Sequence, residues 1–310
     1  MKRLRLGTRA SALALWQARS VAAALEQRGA DVEIVRITTH GDRRQDLPLP
    51  EIGGKRVFVK EIEQALLAGE IDLAVHSAKD MAAESAPGLV IAAALPREDP
   101  RDALILGLSS RVLESTGDLF SSAVEHTLAI GTGSIRRIAM LKRAFPRATF
   151  VPLRGNVDTR LRTLEAGGMD AIVLAAAGLN RLGLAARISA TIPVEICVPA
   201  PGQGIIAVEV RREDHQAREQ VALLNDEEAA LALEAEQAVV AALGGGCQLP
   251  LGAYGSMNQG TLMLRAAVVS LDGEEVLMTQ ISGNPVDAAA IGRQAADDLS
   301  AQGARRILHT

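Results

Sequence analysis

The segment FVKEIEQALLAGEIDLAVHS (Phe58 to Ser77) contains two hydrophobic patterns in succession. In its first part, up to Glu70, apolar residues lie three and four positions apart, which indicates an amphipathic helix. Its second part, from Ile71 onward, is a nearly continuous apolar run with the length of a buried strand. A helix that leads directly into a buried strand is typical of βαβ units with a largely parallel sheet.

The same alternation extends to both sides of this segment. A short strand LRLGTR is followed by a helix that Ser11 can cap and Gly29 can end. Further strands are predicted at VEIVRITT (Val32 to Thr39) and at LVIAAAL near Leu89.

Two proline-bearing segments interrupt the pattern. PREDPRDA (Pro96 to Ala103) is the first candidate linker, and VPAPGQG around Pro199 is the second. Between them a second strand–helix alternation runs from LILG to DAIVLAAAGL. We therefore predict that a second α/β domain is inserted within, or hinged to, the first. The sequence does not show which sheet receives the later strand IIAVEVR.

The C-terminal part has a different order of elements. A long helix, EEAALALEAEQAVVAAL, precedes hairpin strands with a turn at Asp272-Gly273 and a last helix near Ala288 to Gln302. The predicted fold class is α/β, with two βαβ-type domains that resemble two-lobed binding proteins and a smaller α+β third domain. The predicted boundaries are 1–96 with 203–220, 101–198, and 225–310.

The overall composition restricts the class of function. The 310 residues include 33 Lys and Arg against 37 Asp and Glu, a net charge of −4 that does not favour nucleic acid or a membrane surface as a partner. Two cysteines are too few for a disulfide framework, which fits a reducing cytosol. Arg9 and Arg19 interrupt the N-terminal apolar run, so a signal peptide is not expected. We expect a soluble, cytoplasmic protein.

Cations gather where predicted strands end, which is where α/β sheets bind ligands. Arginine in the first turn of a helix is unfavourable for the helix dipole, unless an external anion lies beside the free backbone N–H groups. The alternative is that each arginine pairs with a local Asp or Glu on the surface. The cations at strand ends are Arg9, Lys79, Arg136, Arg137, Arg154, Arg160 and Arg181, and the GTGSIRR turn adds Thr132 and Ser134.

Asp80 is the one carboxylate that the sequence places among these cations, directly after Lys79. Cationic neighbours would keep it ionised, so that it could receive a proton or stabilise a developing cation. A structural salt bridge or a helix cap is the alternative.

In LGGGCQLPLG (Leu243 to Gly252), three glycines leave Cys247 accessible to a ligand, although it could also be a small buried residue.

Two further features were tested for known chemistry. GGKRVFVKE (Gly53 to Glu61) is a Gly-rich loop carrying Lys55, but it lacks Walker spacing. The histidines form no metal-ligand spacing with the cysteines, so no metal is predicted.

Two hypotheses remain from the residues alone. One is an enzyme for a poly-carboxylated substrate, with Cys247 as a covalent attachment point. The other is a two-lobed protein that closes on an anion.

A set of motifs in a fixed order resembles the porphobilinogen deaminase (hydroxymethylbilane synthase) family over nearly the whole chain. The motifs are TRASALALWQA, TxGD at Thr39 to Asp42, GGKRVFVKE, AVHSAKD, REDPRDA, GTGSIRR, LRGNVDTRL, DAIVLAAAGLNRLG, PAPGQG and GGGCQLPLGAY. The resemblance implies three domains with a cleft between the first two, and a monomer. It also implies head-to-tail condensation of four porphobilinogen molecules, with loss of ammonia, to the linear tetrapyrrole hydroxymethylbilane.

The resemblance further implies a dipyrromethane cofactor attached covalently to Cys247 of the third domain. Each pyrrole carries an acetate and a propionate, which gives the cations a role. Asp80 would be the catalytic residue, contacting pyrrole N–H groups and stabilising the cationic intermediate. The implied cofactor-binding residues are Cys247, Lys79, Asp80, Thr132, Ser134, Arg136, Arg137 and Arg160. The implied substrate-binding residues are Arg9, Ser11, Lys55, Arg154 and Arg181.

Overall fold

The computed structural model describes residues 3–43, 59–108, 127–244 and 249–308. Its strands are β1 Leu4–Thr8, β2 Val32–Arg36, β3 Leu73–Ser77, β4 Leu89–Ala94, β5 Asp102–Leu106, β6 Ala129–Gly131, β7 Thr149–Val151, β8 Ala171–Ala175, β9 Ala190–Ile192, β10 Ile206–Arg211, β11 Leu251–Asn258, β12 Thr261–Val269 and β13 Val276–Gly283. Its α-helices are Ala12–Glu26, His40–Arg43, Lys60–Leu67, Ile135–Ala144, Val157–Glu165, Ala176–Arg181, His215–Ala222, Glu227–Ala242, Ala288–Ala301 and Ala304–Leu308.

Two five-stranded sheets have the same arrangement of strands. The first has the order β2-β1-β3-β10-β4, and the second has the order β7-β6-β8-β5-β9. In each sheet the first three strands are parallel, while β10 and β5 run antiparallel to both of their neighbours. The strand IIAVEVR thus joins the first sheet, far from the strands beside it in sequence.

The third sheet is an antiparallel meander, β11-β12-β13. Helices Glu227–Ala242 and Ala288–Ala301 cover it and share one apolar core with it. Asp226 caps the first of these helices by accepting from the Ala229 amide at 2.8 Å. The two α/β sheets and this smaller α+β unit confirm the predicted fold class.

Two segments, 96–101 and 199–204, connect the first two sheets, and we call them the crossing segments. Gly204 has a φ of +90°, and a Cβ there would lie 2.3 Å from the Glu98 carbonyl oxygen. Only glycine therefore allows the two segments to lie this close. Glu98 in turn donates its backbone N–H to the Gly204 carbonyl at 3.1 Å.

A buried carboxylate holds the third unit to both crossing segments. Glu236 accepts from Arg97 Nη2 at 2.7 Å, from the Gly202 amide at 2.6 Å and from the Gly255 amide at 2.7 Å. Desolvation raises the pKa of Glu236, against the opposing charge of Arg97. The third unit is thereby fixed where the chain passes between the two larger sheets.

Several details differ from the sequence prediction: strand β9 and helix His215–Ala222 were not predicted, and β3 begins at Leu73 rather than Ile71. Strand β2 ends at Arg36 rather than Thr39. Strand β11 was not predicted, because LGAYGSMN is rich in glycine and poor in β-branched residues. Among the described residues, no helix is long and apolar enough to cross a membrane.

Candidate active site

The parallel strands β1 and β3 end side by side, which brings two predicted groups of residues to one edge of the first sheet. Ser11 follows β1 and caps helix Ala12–Glu26 by accepting from the Ala14 amide at 3.3 Å. Lys79 and Asp80 follow β3 in a short 3-10 turn. Gln17 of the helix donates to Ser77 Oγ at 2.9 Å, so the two strand ends are tied together.

The turn that carries Lys79 and Asp80 is pressed against a crossing segment. Gly202 has a φ of +71°, and a Cβ there would lie 2.9 Å from Ala78 atoms and from the Lys79 backbone nitrogen. Ala78 donates its amide to the Ile205 carbonyl at 3.0 Å. The position of Asp80 is therefore set by the crossing segment as well as by β3.

Helix Ile135–Ala144 begins at the end of β6, as predicted for GTGSIRR. Ser134 is its N-cap, and its hydroxyl accepts from the Arg137 amide at 3.4 Å. Thr132 is buried, and its Oγ1 accepts from the Ser134 amide at 3.3 Å. Thr132 and Ser134 thus shape the turn from which the two arginines project.

Both arginines of this turn are buried against one carboxylate, Asp102, at the start of β5. Arg136 Nη2 donates to Asp102 Oδ2 at 2.8 Å. Arg137 donates to Asp102 Oδ1 from Nε at 3.0 Å and from Nη2 at 2.7 Å. Each arginine also donates to a backbone carbonyl, Arg136 Nη1 to Val198 at 2.7 Å and Arg137 Nη1 to Val173 at 3.0 Å.

Asp102 changes the interpretation of the arginine pair. The sequence placed only Asp80 among the cations and offered surface partners as the alternative, but the anion between Arg136 and Arg137 is a fully buried residue of the protein. Burial alone would raise the pKa of Asp102. The charges of Arg136 and Arg137, with hydrogen bonds from Arg137 and Gln203, outweigh burial and hold that pKa well below its usual value.

A second group of charged residues, which includes Asp80, lies around Arg160. Burial and the positive charges of Arg137 and Arg154 lower the pKa of Arg160 to about 10, while Asp80 opposes the shift. Arg160 Nε donates to the Gly155 carbonyl at 2.8 Å. Arg154 Nη1 is buried and has no hydrogen-bond partner among the described residues. Arg137, Arg154 and Arg160 therefore form a group of like charges in which Asp80 is an opposing carboxylate.

Arg181 is directed elsewhere, toward the crossing segments. Its Nη2 donates to the Gly204 carbonyl at 2.7 Å, and its guanidinium lies 5.8 Å from the ring centroid of Trp16. Burial lowers the pKa of Arg181 to about 10, against the charge of Glu98. Arg181, the last residue of helix Ala176–Arg181 beside the second sheet, thus contacts helix Ala12–Glu26 beside the first sheet.

The structure therefore brings together Asp80, Arg137, Arg154 and Arg160, with Lys79 in the same turn as Asp80. Arg9 and Ser11 lie at the adjacent strand end. Lys55 and Cys247 lie outside the described residues. Sequence reasoning missed Asp102, Gln203 and Trp16. A charged residue opening the apolar strand DALIL was the available signal for Asp102.

The second cysteine, Cys197, is part of the core of the second sheet and lies in a bend that follows β9. Its Sγ lies 3.2 Å from Arg136 Nη1 and 3.3 Å from Asp102 Oδ2. Burial raises the pKa of the Cys197 thiol to about 12, in spite of the nearby Arg136 charge. The thiolate is the reactive form, so this thiol is protected from reagents.

We expect native Cys197 to remain unmodified by iodoacetamide at pH 8 and to react after denaturation. The raised pKa also has a stability consequence. Above the unfolded thiol pKa of 9.0 the unfolded chain loses this proton first, so the free energy of unfolding falls as the pH rises from 9 toward 12. The fall should be smaller in Cys197→Ser when both proteins are titrated by urea unfolding. Equal alkylation of native and denatured protein would contradict the assignment.

The fold and the site together define a class of protein. It has two similar α/β sheets, a smaller α+β unit fixed to the crossing segments, and a group of buried arginines near the carboxylates of Asp80 and Asp102. Residues 4–219 match the domain family described as "Porphobilinogen deaminase, dipyromethane cofactor binding domain", and residues 230–301 match "Porphobilinogen deaminase, C-terminal domain". The chain belongs to the porphobilinogen deaminase family, which confirms the resemblance seen in its motifs.

Relatives of this chain are named porphobilinogen deaminase, and the chain matches them over nearly their full lengths. "Porphobilinogen deaminase" of Trichlorobacter lovleyi is 45% identical over 309 residues, which cover 99% of this chain and 96% of the relative. The protein of that name from Syntrophomonas wolfei is 46% identical over 310 residues, covering 99% and 98%.

Solved structures that match this chain include binding proteins. The methionine binding protein MetQ matches with a TM-score of 0.44 and 13% identity, over 76% of this chain and 96% of MetQ. The L-cystine solute receptor of Neisseria gonorrhoeae matches with a TM-score of 0.39 and 14% identity, over 76% and 90%.

Proposed function

We propose that this protein is a transferase of tetrapyrrole biosynthesis. It condenses four porphobilinogen molecules head to tail, releases ammonia at each step, and yields hydroxymethylbilane by a final hydrolysis. The family match supports the reaction. The observation in the structure that carries the proposal is the junction where Arg160 interacts electrostatically with Asp80, Arg137 and Arg154. A growing chain of pyrroles with acetate and propionate groups is a polyanion that such a junction can bind.

The residues present fit a dipyrromethane cofactor. Two buried guanidinium N–H groups, Arg136 Nε and Arg154 Nη1, have no hydrogen-bond partner among the described residues. A buried donor without a partner is costly, and a carboxylate from a bound group would supply one. When bound, the cofactor supplies the free pyrrole α-carbon to which the first substrate is joined.

Each predicted residue then has a role that follows from its charge. Cys247 holds the cofactor through a thioether, and Lys55 contributes to substrate binding. Arginines and lysine bind carboxylates, and Thr132 and Ser134 shape the turn beside them. The proposed cofactor contacts are Lys79, Asp80, Thr132, Ser134, Arg136, Arg137 and Arg160. The proposed substrate contacts are Arg9, Ser11, Lys55, Arg154 and Arg181.

Asp80 is the proposed catalytic residue. In each condensation the aminomethyl C–N bond of porphobilinogen breaks, ammonia leaves, and positive charge develops on the pyrrole. A fixed carboxylate stabilises that charge most strongly at the transition state. The pyrrole α-carbon that attacks then loses its proton, which restores the aromatic ring. The cations near Asp80 hold the substrate carboxylates.

The domain boundaries belong to the same proposal. Domain 1 would comprise 1–96 with 203–220, domain 2 would comprise 101–198, and domain 3 would comprise 225–310 and carry Cys247. Strand membership in the three sheets supports this division. The family resemblance supports a monomer that works in the cytoplasm.

The test is to incubate the purified protein with porphobilinogen and to measure both ammonia and the linear product. We expect four ammonia molecules for each bilane. The rival hypothesis, a two-lobed protein that only closes on an anion, predicts binding of porphobilinogen without release of ammonia. That result would overturn the proposed function.

A further inference from the structure

The arginine pair is held by an anion that lies outside its own helix and turn. Asp102 is fully buried and accepts from both guanidiniums, through Oδ2 for Arg136 and Oδ1 for Arg137. Adjacent arginines carry like charges that repel each other. Burying both guanidiniums close together is therefore unfavourable without an anion between them. Asp102 therefore sets both the distance between the two guanidiniums and the direction of their N–H groups.

Asp102 uses only part of the hydrogen-bonding capacity of these arginines. Arg136 Nε is buried and has no partner among the described residues, although Arg136 Nη1 and Nη2 are bonded. Two guanidiniums on one carboxylate also leave one positive charge in excess. Asp102 thus orients Arg136 and Arg137. The pair still has one positive charge in excess and one N–H donor, Arg136 Nε, that is free within the described part of the chain and with which it can bind a second anion.

The same carboxylate is connected to both crossing segments. Gln203 Nε2 donates to Asp102 Oδ1 at 2.9 Å and to the Pro100 carbonyl at 2.6 Å. Arg136 Nη1 donates to the Val198 carbonyl at 2.7 Å, next to the second segment. The place of the arginine pair is consequently tied to the segments on which the turn with Asp80 also rests.

The geometry points to Asp102 as a positioning residue that fixes Arg136 and Arg137 for the carboxylates of the cofactor, with Gln203 holding Asp102 in place. This inference rests on the proposed function, because it assigns the support of the proposed cofactor site. Asp102 itself is saturated by protein donors and does not contact the cofactor. Its effect is therefore on the loading of the cofactor rather than on the bonds that form or break.

The test compares cofactor loading of the full chain and of Asp102→Asn. Cofactor-free protein is incubated with porphobilinogen, and the covalently bound mass is followed with time by mass spectrometry. Misplacement of binding groups by about 1 Å can cost about 10²-fold, so we expect loading by Asp102→Asn to slow by about 10²-fold. Circular dichroism and thermal unfolding establish that loading is measured on folded protein. Asp99→Asn is the matched control, since Asp99 pairs with Arg101 in the same segment and not with the arginine pair.

The outcomes separate positioning from stability. Slow loading by folded Asp102→Asn, with normal loading by Asp99→Asn, supports the inference. Loading at the wild-type rate with only a lower Tm would overturn it. If Asp102→Asn does not fold, Gln203→Met decides, because it removes one donor to Asp102 and no charge. The Gln203→Met variant should also load the cofactor more slowly than the wild-type protein, and an unchanged loading rate would overturn the inference. Absence of loading in the wild-type protein would instead count against the proposed function.

Discussion

Replacing Asp80 with Asn is expected to lower kcat for porphobilinogen by about 10²–10³-fold, the usual effect of removing one group that stabilises transition-state charge. Asn keeps the size and one acceptor oxygen but lacks the negative charge that opposes the developing cation. Asp80→Glu keeps the charge and displaces it, so it should retain part of the activity. Both variants should fold, because Asp80 lies in a partly exposed turn at the end of β3.

The measurement is kcat on protein whose cofactor content has been checked by mass, together with Tm. Glu84→Gln is the control, an exposed carboxylate four residues further along the chain. If Asp80 were only a cap or an ion-pair partner of Arg160, Asn would lower Tm and leave kcat near the wild-type value. That result would remove Asp80 from the chemistry.

Replacing Arg137 with Leu is expected to lower the free energy of unfolding by about 3–5 kcal/mol, because it leaves Asp102 buried with one of its two arginines missing. The variant should still fold, and the loss of the buried contact with Asp102 is the reason for its lower stability. The variant should also fail to load the cofactor or stop during chain elongation, since a charged hydrogen bond of about 1.5–3 kcal/mol to a carboxylate is lost.

Urea unfolding and the mass of the purified protein measure these two effects separately. Arg143→Leu provides the control on the same helix, because Arg143 is exposed and its replacement should change stability by no more than about 0.5 kcal/mol. Normal stability in Arg137→Leu would contradict the importance of the Asp102 pair. Normal loading and turnover would remove Arg137 from the binding site.

Regular elements were predictable from the sequence where a single pattern governs them. The run Ile71 to Ser77 gives β3 because its apolar residues can be buried on both faces of a sheet. Ser134 and the residues after it give a helix because the cap and the apolar spacing agree. Strand β11 follows no such pattern, because it depends on a close contact with another part of the chain. Its Gly252 allows close approach to Val198, where a Cβ would lie 2.5 Å from the carbonyl oxygen.

The candidate site was predictable at the level of charge and position along strands. Parallel strands of one sheet end at the same edge, so the cations after β1 and β3 could be expected near one site and those after β6 at the corresponding edge of the second sheet. Their partners could not, because Asp102 lies 34 and 35 residues from Arg136 and Arg137. Only the antiparallel insertion of β5 into the second sheet brings that carboxylate to the arginines. The same limit applies to Trp16 beside Arg181, which depends on the approach of the two sheets.

In the proposed function, the protein builds its cofactor from its own substrate and holds it at Cys247. The most direct measurement is the intact mass of the purified protein, followed by peptide mapping of both cysteine-containing peptides. We predict a mass above that of the sequence by one dipyrromethane unit, with the added mass on the Cys247 peptide and none on the Cys197 peptide. A protein with the unmodified sequence mass that nevertheless turns over porphobilinogen at its full rate would contradict the account.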